Sequence, residues 1–206
     1  MDLAVQRSLF GNVEPAFDAS YARLERTWLD GSAWVDHQPE WVAGAELLFD
    51  RIIAARPWGQ RSREVYERVH AEPRLTAPWT LRSGALLDPP LLEAIRHALS
   101  ARYGVRFDSV GFNLYRDGRD SVAWHRDQIS HLVAEPVVAL VSLGERRSFL
   151  MRPRGGGRSR SWRLGGGDLL VTGGAAQRTW EHAVPKAAQA GPRISLAYRH
   201  GPPQEP

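Results

Sequence analysis

The stretch Arg193-Ile194-Ser195-Leu196-Ala197-Tyr198-Arg199 alternates between two kinds of side chain. Successive residues of a β-strand point to opposite faces, so Ile194, Leu196 and Tyr198 share one face while Arg193, Ser195 and Arg199 share the other. The apolar face marks a core strand. Two arginines facing inward from such a strand demand anionic partners, because an uncompensated buried charge is costly. Their Cα atoms stand about 20 Å apart at roughly 3.3 Å per residue. Side chains leaning together would bracket a short dicarboxylate, which guanidinium groups bind in bidentate fashion. The plainer alternative is a pair of surface arginines on an edge strand, and the apolar opposite face weighs against it.

Working outward, the same period of two recurs in segments 108–115, 121–127, 136–143, 147–152, 168–172 and 178–184. They are separated by Asp117 and Gly118, by the run 154–161, and by glycines at 165–167 and 173–174. This is the pattern of an antiparallel sandwich or small barrel. None of the glycine-rich stretches has the spacing or following helix of a phosphate-binding loop. Earlier in the chain the period changes. Val42, Ala45, Leu48, Phe49, Ile52 and Ile53 predict a helix over 41–55, stopped by Pro57, and Leu91, Leu92, Ile95 and Leu99 predict another over 90–103, closed by Gly104. Both read as core helices covering a sheet. Segments 27–29 and 33–35 flank an Asp30-Gly31 turn and could pair as a hairpin. The fold class is therefore α+β, mainly β, with covering helices in the N-terminal half.

Composition narrows the chemistry. A chain of 206 residues with 43% hydrophobic and 24% charged residues suits one globular domain. No run approaches the roughly 18 to 20 apolar residues needed to span a bilayer, and the N-terminus lacks the pattern of a secretion signal, so a cytoplasmic location is expected. The chain has no cysteine. That excludes disulfides, thiolate nucleophiles and zinc–thiolate sites and leaves imidazole, carboxylate and water as metal ligands. The net charge of +4 is uneven: the first fifty residues are acidic and the remainder basic. Arg146, Arg147, Arg152, Arg154, Arg158, Arg160 and Arg163 follow one another with no acid between them, as on a surface that meets phosphates. Lys186 is the one lysine, so part of this enrichment reflects a general preference for arginine.

A histidine two places before an acid is expected about once by chance in a chain of this composition, and His70 with Glu72 is one such pair. His125 and Asp127 differ in context. They lie on a predicted strand, where positions i and i+2 share a face. His182, beside Trp180 near the end of another predicted strand, supplies a third ligand, although alone it would be an ordinary half-buried strand histidine. Two histidines and one carboxylate on one side of a non-haem iron(II) leave the opposite positions open for a co-substrate and dioxygen. Just upstream, Asn113 and Tyr115 share a strand face and offer an amide and a phenol to a bound carboxylate.

Asn113 and Tyr115, the turn at Asp117 and Gly118, His125 and Asp127, Trp180 and His182, and Arg193 with Arg199, in this order and at these intervals, closely resemble the AlkB-like family of iron(II) and 2-oxoglutarate dioxygenases. The resemblance covers roughly residues 73–200, including Pro73, Arg74 and Leu75 ahead of a substrate-facing lid and residues 142–149 as a central strand and turn. It implies a double-stranded β-helix, or jelly-roll, within one domain, residues 1–72 forming an N-terminal extension with a covering helix. It implies iron held by His125, Asp127 and His182, which are the catalytic residues. The co-substrate 2-oxoglutarate would be anchored by Asn113, Tyr115, Arg193, Ser195 and Arg199, with Arg193 on the distal carboxylate and Arg199 on the metal-proximal carboxylate or on Asp127. The family's reaction uses dioxygen and yields succinate and carbon dioxide, and an N-methylated base would lose its methyl group as formaldehyde.

The implied partner is DNA, with RNA as the other polymer, presented as a single strand or a flipped base to a monomeric enzyme. Arg74, Trp79, Trp124, Arg146, Arg147, Arg152 and Arg154 are the candidate nucleic-acid contacts, and Trp58 is a further candidate for stacking. Two positions depart from the family's pattern. Ile129 stands where repair members carry a second acid, and Ser195 where the family usually has asparagine. The first departure puts base selectivity in doubt and supports a competing reading, a hydroxylase of a small molecule or of protein side chains. A non-catalytic nucleic-acid-binding module is the reading from a different class.

Overall fold

The computed structural model describes residues 13–202 apart from 66, 67, 128 and 132, and of the side chains at 63–70 nothing is described. Readings that rest on the first twelve residues, and the side chain of His70, lie outside the described residues. In chain order the elements are β1 (Ala16–Phe17), β2 (Glu25–Trp28), β3 (Ala33–Gln38), β4 (Val42–Ala43), α1 (Ala45–Ala55), β5 (Ser62–Val65), β6 (Arg68–Ala71), β7 (Leu75–Thr80) and α2 (Leu91–Tyr103). There follow β8 (Ser109–Tyr115), β9 (Val122–His125), β10 (Val138–Gly144), β11 (Arg147–Pro153), β12 (Arg160–Leu164), β13 (Asp168–Gly174), α3 (Ala176–Thr179), β14 (Trp180–Val184) and β15 (Arg193–Arg199).

Two antiparallel sheets form the sandwich. The larger runs β2-β3-β13-β10-β15-β8-β7 and the smaller β12-β11-β14-β9. The pleat of β15 sorts its residues as the alternation predicts. Ile194, Leu196 and Tyr198 pack with the buried residues of α1 and α2, including Leu48, Phe49, Ile52, Leu92, Ile95 and Leu99. Ala197 turns instead into the space between the sheets, beside Tyr115, Leu140, Phe149, Met151, Trp180 and Val184. Each such large apolar side chain contributes on the order of 2 kcal/mol by leaving water, so the helices fasten one face of the sheet and leave the other to build a site. No helix among the described residues is long and apolar enough to cross a membrane.

Three local readings change. The first helix begins at Ala45, because Val42 and Ala43 pair with β1 and Gly44 turns the chain with φ 62. Residues 59–80 carry strands that their sequence hid: β7 adds to the edge of the large sheet beside β8, where Pro78 costs no interior ladder bond. The stretch after Arg154 read as connecting loop includes β12, the edge strand of the small sheet, which pairs Arg163 with Ser148 and Trp162 with Phe149.

Candidate metal centre

The small sheet brings the three candidate ligands together. β9 and β14 are antiparallel with His125 opposite His182, and the register shifts just beyond that pair. Asp127 follows two residues past His125, outside the strand. Ligand atoms of His125, Asp127 and His182 all lie within 4.8 Å of one another, and the two imidazole centroids are 4.2 Å apart. That spacing suits one cation held by two imidazoles and a carboxylate.

The surroundings set the form of each ligand. Nδ1 of His125 lies 2.8 Å from the carbonyl oxygen of Ala123. Donation there leaves Nε2 as the ligating atom, the usual device for orienting a metal-bound histidine. His182 stacks on Phe149 at 5.3 Å, and burial pushes its pKa down to about 4, so its imidazole is neutral at neutral pH. Burial alone would raise the Asp127 carboxyl, but the charge of Arg199, with His182 and His125, holds it below the ordinary range. Arg199 donates from Nε at 2.9 Å and from Nη2 at 2.6 Å, both to Asp127 Oδ1. Gly111 makes room for this clamp, because a Cβ there would lie 2.6 Å from Arg199 Nη1.

At the other end of β15, Arg193 is 1% exposed. Its Nε donates to the carbonyl of Leu164 at 3.1 Å and its Nη2 to Ser142 Oγ at 2.7 Å. Its Nη1 is buried without a partner, and burial pushes the guanidinium below its usual pKa. No carboxylate among the described residues forms an ion pair with it, Asp168 acting only through its charge, so the open nitrogen suits a bound carboxylate. Tyr115 stands beside it, ring centroid 5.3 Å from the guanidinium carbon. The cavity of about 50 Å³ between metal ligands and Arg193 is lined by Arg74, Asn113, Tyr115, Phe149, Ser195 and Arg199 among others. A roomier cavity of about 870 Å³ opens past the ends of β7 and β15, near Arg82, Arg106 and His200, and includes none of the three candidate ligands. Volume and chemistry therefore disagree, and the converging ligands decide for the smaller one.

A family model described as the 2OG-Fe(II) oxygenase superfamily matches residues 54–199. The chain belongs to that superfamily. Among curated proteins it is similar to Alpha-ketoglutarate-dependent dioxygenase alkB homolog 3 of Homo sapiens, 32% identical over 77% of this chain and 62% of that protein. It is also similar to DNA oxidative demethylase ALKBH2 of Arabidopsis thaliana, 30% identical over 74% of this chain and 60% of that protein. The chain thus spans about three fifths of the length of these relatives. A solved structure titled "The structure of OsALKBH1" superposes with a TM-score of 0.60 at 15% identity, covering 85% of this chain and all (100%) of that one, which shows the shared jelly-roll fold. An oxidoreductase of the 2OG-Fe(II) oxygenase family from Burkholderia pseudomallei gives 0.52 at 17% identity, over 82% of this chain and 86% of that one.

Within this superfamily site the individual residues divide. Of the two partners expected for Arg199, the structure shows Asp127, while Arg193 keeps a buried nitrogen without a partner; both line the cavity, as does Arg74, whose Nε is also buried and unpartnered. The amide nitrogen of Asn113 lies 3.2 and 3.4 Å from the carbonyls of Gly111 and Ser195, and its side chain lines the same cavity as Tyr115 and Arg193. Arg74 lines the cavity and pairs with Glu72 at 3.1 Å.

Several expected nucleic-acid contacts are structural. Trp79 is buried in the helix-covered core and donates to Ala85 O at 2.8 Å, so it is not free to stack on a base, while half-buried Trp58 packs against the edge of the same core. Arg147 is buried and donates to the carbonyls of Asp117, Asp120 and Pro185, which bind it more firmly than any surface phosphate role allows. Arg146 pairs with Asp168, and Arg160 is held by the carbonyls of Trp28 and Leu29. Arg152 pairs with Glu181 and lies 4.1 Å over the ring of half-buried Trp124. Arg154 and Arg158, at the tip of the β11–β12 hairpin, are exposed. Sequence reasoning missed Ser142, Phe149 and Gln177, whose roles depend on contacts between distant strands.

Proposed function

We propose that this chain removes alkyl groups from N-alkylated bases in DNA by oxidation, using iron(II), 2-oxoglutarate and dioxygen. The observation that carries the reading is the convergence of His125, Asp127 and His182 beside a fully buried arginine with an open donor. The curated relatives named as a DNA oxidative demethylase and as an alkB homolog support the substrate class. His125, Asp127 and His182 would hold the metal, and Arg193 with Tyr115 would hold the distal carboxylate of 2-oxoglutarate. The bound metal and co-substrate with dioxygen supply hydroxylation of a C–H bond, and a hydroxymethyl group on nitrogen then leaves as formaldehyde. The chain's own part is to keep His182 neutral, to fix Asp127 through Arg199, and to exclude water with Val122, Leu140, Phe149 and Val184. Arg154 and Arg158 would meet the phosphates of a single strand, or of RNA as the alternative polymer.

The test is a set of oligonucleotides carrying different methylated bases, with formaldehyde and succinate measured together and His125→Ala as the control. Formaldehyde in step with succinate is the expected result. Succinate without formaldehyde from any oligonucleotide would remove nucleic acid as the substrate. One feature favours that second outcome and a hydroxylase of a small molecule or protein instead: Ile129 packs against the apolar interior and offers no charge to a base.

A further inference from the structure

The three candidate ligands are not held alike. His125 and His182 sit in paired strands, whereas Asp127 stands in the connection from β9 to β10 and lacks a ladder to fix its backbone. What fixes it comes from α3. Gln177 is 3% exposed, and its Oε1 accepts the Asp127 backbone N–H at 3.3 Å while its Nε2 donates to Thr172 Oγ1 at 3.1 Å. The next residue, Arg178, donates from Nη2 to the carbonyls of Ser130 at 2.9 Å and Val133 at 2.5 Å, farther along the same connection. Two adjacent side chains thus hold the segment at its start and its middle. The same short helix runs directly into β14, three residues before His182. It therefore relates the carboxylate to the second histidine through a few fixed bonds.

A buried amide is costly unless both of its ends are bonded, and packing alone would be served as well by an apolar side chain of the same length. We infer that Gln177 is a positioning residue of the metal centre, setting the Asp127 carboxylate for the cation, with Arg178 holding the rest of the connection. Groups that orient metal ligands in this way typically change metal affinity by about 10- to 100-fold when removed. The inference rests on the metal reading proposed above.

Cobalt(II) is a suitable probe, because its visible bands report ligation without turnover. The full chain would be titrated with cobalt(II) in the wild type, Gln177→Met, Gln177→Glu and Arg178→Met, with thermal melting of each metal-free protein alongside. The methionine at 177 keeps the volume and removes the acceptor, and the glutamate restores an acceptor towards Asp127 while Thr172 donates to it. The expected result is a loss of affinity of at least about 10-fold in Gln177→Met, recovery to within about 3-fold in Gln177→Glu, and a smaller loss in Arg178→Met. A purely structural role would lower the melting temperature without this split. Wild-type affinity in Gln177→Met, or equal losses in the methionine and glutamate variants, would overturn the inference. If the wild type itself takes up no cobalt, the metal reading fails first, and this one with it.

Discussion

Arginine serves opposite ends in two regions of this molecule. In β15 it faces inward: Arg199 clamps a carboxylate with Nε and Nη2, and Arg193 keeps one buried nitrogen open. In the β11–β12 hairpin it is dense but mostly tied to the fold, with Arg147 buried on three carbonyls, Arg152, Arg160 and Arg163 bonded to neighbours, and the tip residues Arg154 and Arg158 exposed without an ion pair among the described residues. Density of charge is therefore a poor guide to where a ligand binds. The informative quantity is how many donors each guanidinium has left after the fold has used its share.

The largest effect should come from the fully buried arginine of β15 with a donor to spare. Arg193→Met should weaken 2-oxoglutarate binding by at least about 30-fold, since truncating one partner of a buried charge pair costs roughly 2–5 kcal/mol, at about 1.4 kcal/mol per factor of ten. The unliganded protein should change little in melting temperature, because removal of a costly buried charge offsets the donors lost by Leu164 O and Ser142 Oγ. Calorimetric titration of 2-oxoglutarate onto the metal-loaded protein checks the first half and thermal melting the second. A large drop in melting temperature with unchanged co-substrate affinity would reverse the contrast between the two regions.

Arg147→Met should do the reverse. Three carbonyls lose their donor at once, and with about 1–3 kcal/mol for each buried group left unsatisfied and partial relaxation, we expect a loss on the order of 2–4 kcal/mol. Denaturant unfolding would show it. Affinity for 2-oxoglutarate in the folded fraction should stay within about 3-fold of wild type. The pair of variants thus separates an arginine that the fold needs from one that the ligand needs.

Gly111→Ala is a milder probe of the same strand face. The new methyl group would press on Arg199 Nη1, the movable end of a side chain, so the backbone is spared while the clamp on Asp127 loosens. Iron(II) affinity should fall by roughly 3- to 10-fold, less than the roughly 10- to 100-fold lost when an orienting group is removed outright, because the clamp is loosened and not deleted. An unchanged iron titration would mean that Arg199 slides aside while keeping both bonds.

Much of this was legible in the residues. Alternation placed Ile194, Leu196 and Tyr198 on one face and Arg193 and Ser195 on the other, and that is how β15 packs, because a half-buried strand has no other way to satisfy both groups. The helical stripes at Leu48 and Leu92 were equally readable. Edge strands were not: β7 carries Pro78, and β12 shows arginine and serine along most of its length, so neither presents the apolar signal of an interior strand. Also hidden was the fate of each arginine. Arg147 looked like its neighbours in a charge run, and its burial depends on carbonyls supplied by residues 117, 120 and 185. Gln177 was invisible for the same reason, since nothing near it in the chain points to Asp127.

The smallest expected effect belongs to the exposed tip, and it bears directly on the proposed substrate. Arg154 and Arg158 carry no ion pair among the described residues, and their neighbours Gly155, Gly156 and Gly157 all have positive φ, so the tip is shaped by glycine and not by contacts of the arginines. Replacing both with glutamine should leave melting temperature and 2-oxoglutarate affinity unchanged. If the tip meets phosphates, each lost contact should also lower the salt dependence of single-strand binding by roughly 0.7 in log–log slope, or about 1.4 for the pair. At low salt the affinity should fall only several-fold, and the two proteins should converge as salt rises, because screening removes what the substitution removed. Parallel salt plots would sever the hairpin from nucleic-acid binding and leave its charge as solvation alone.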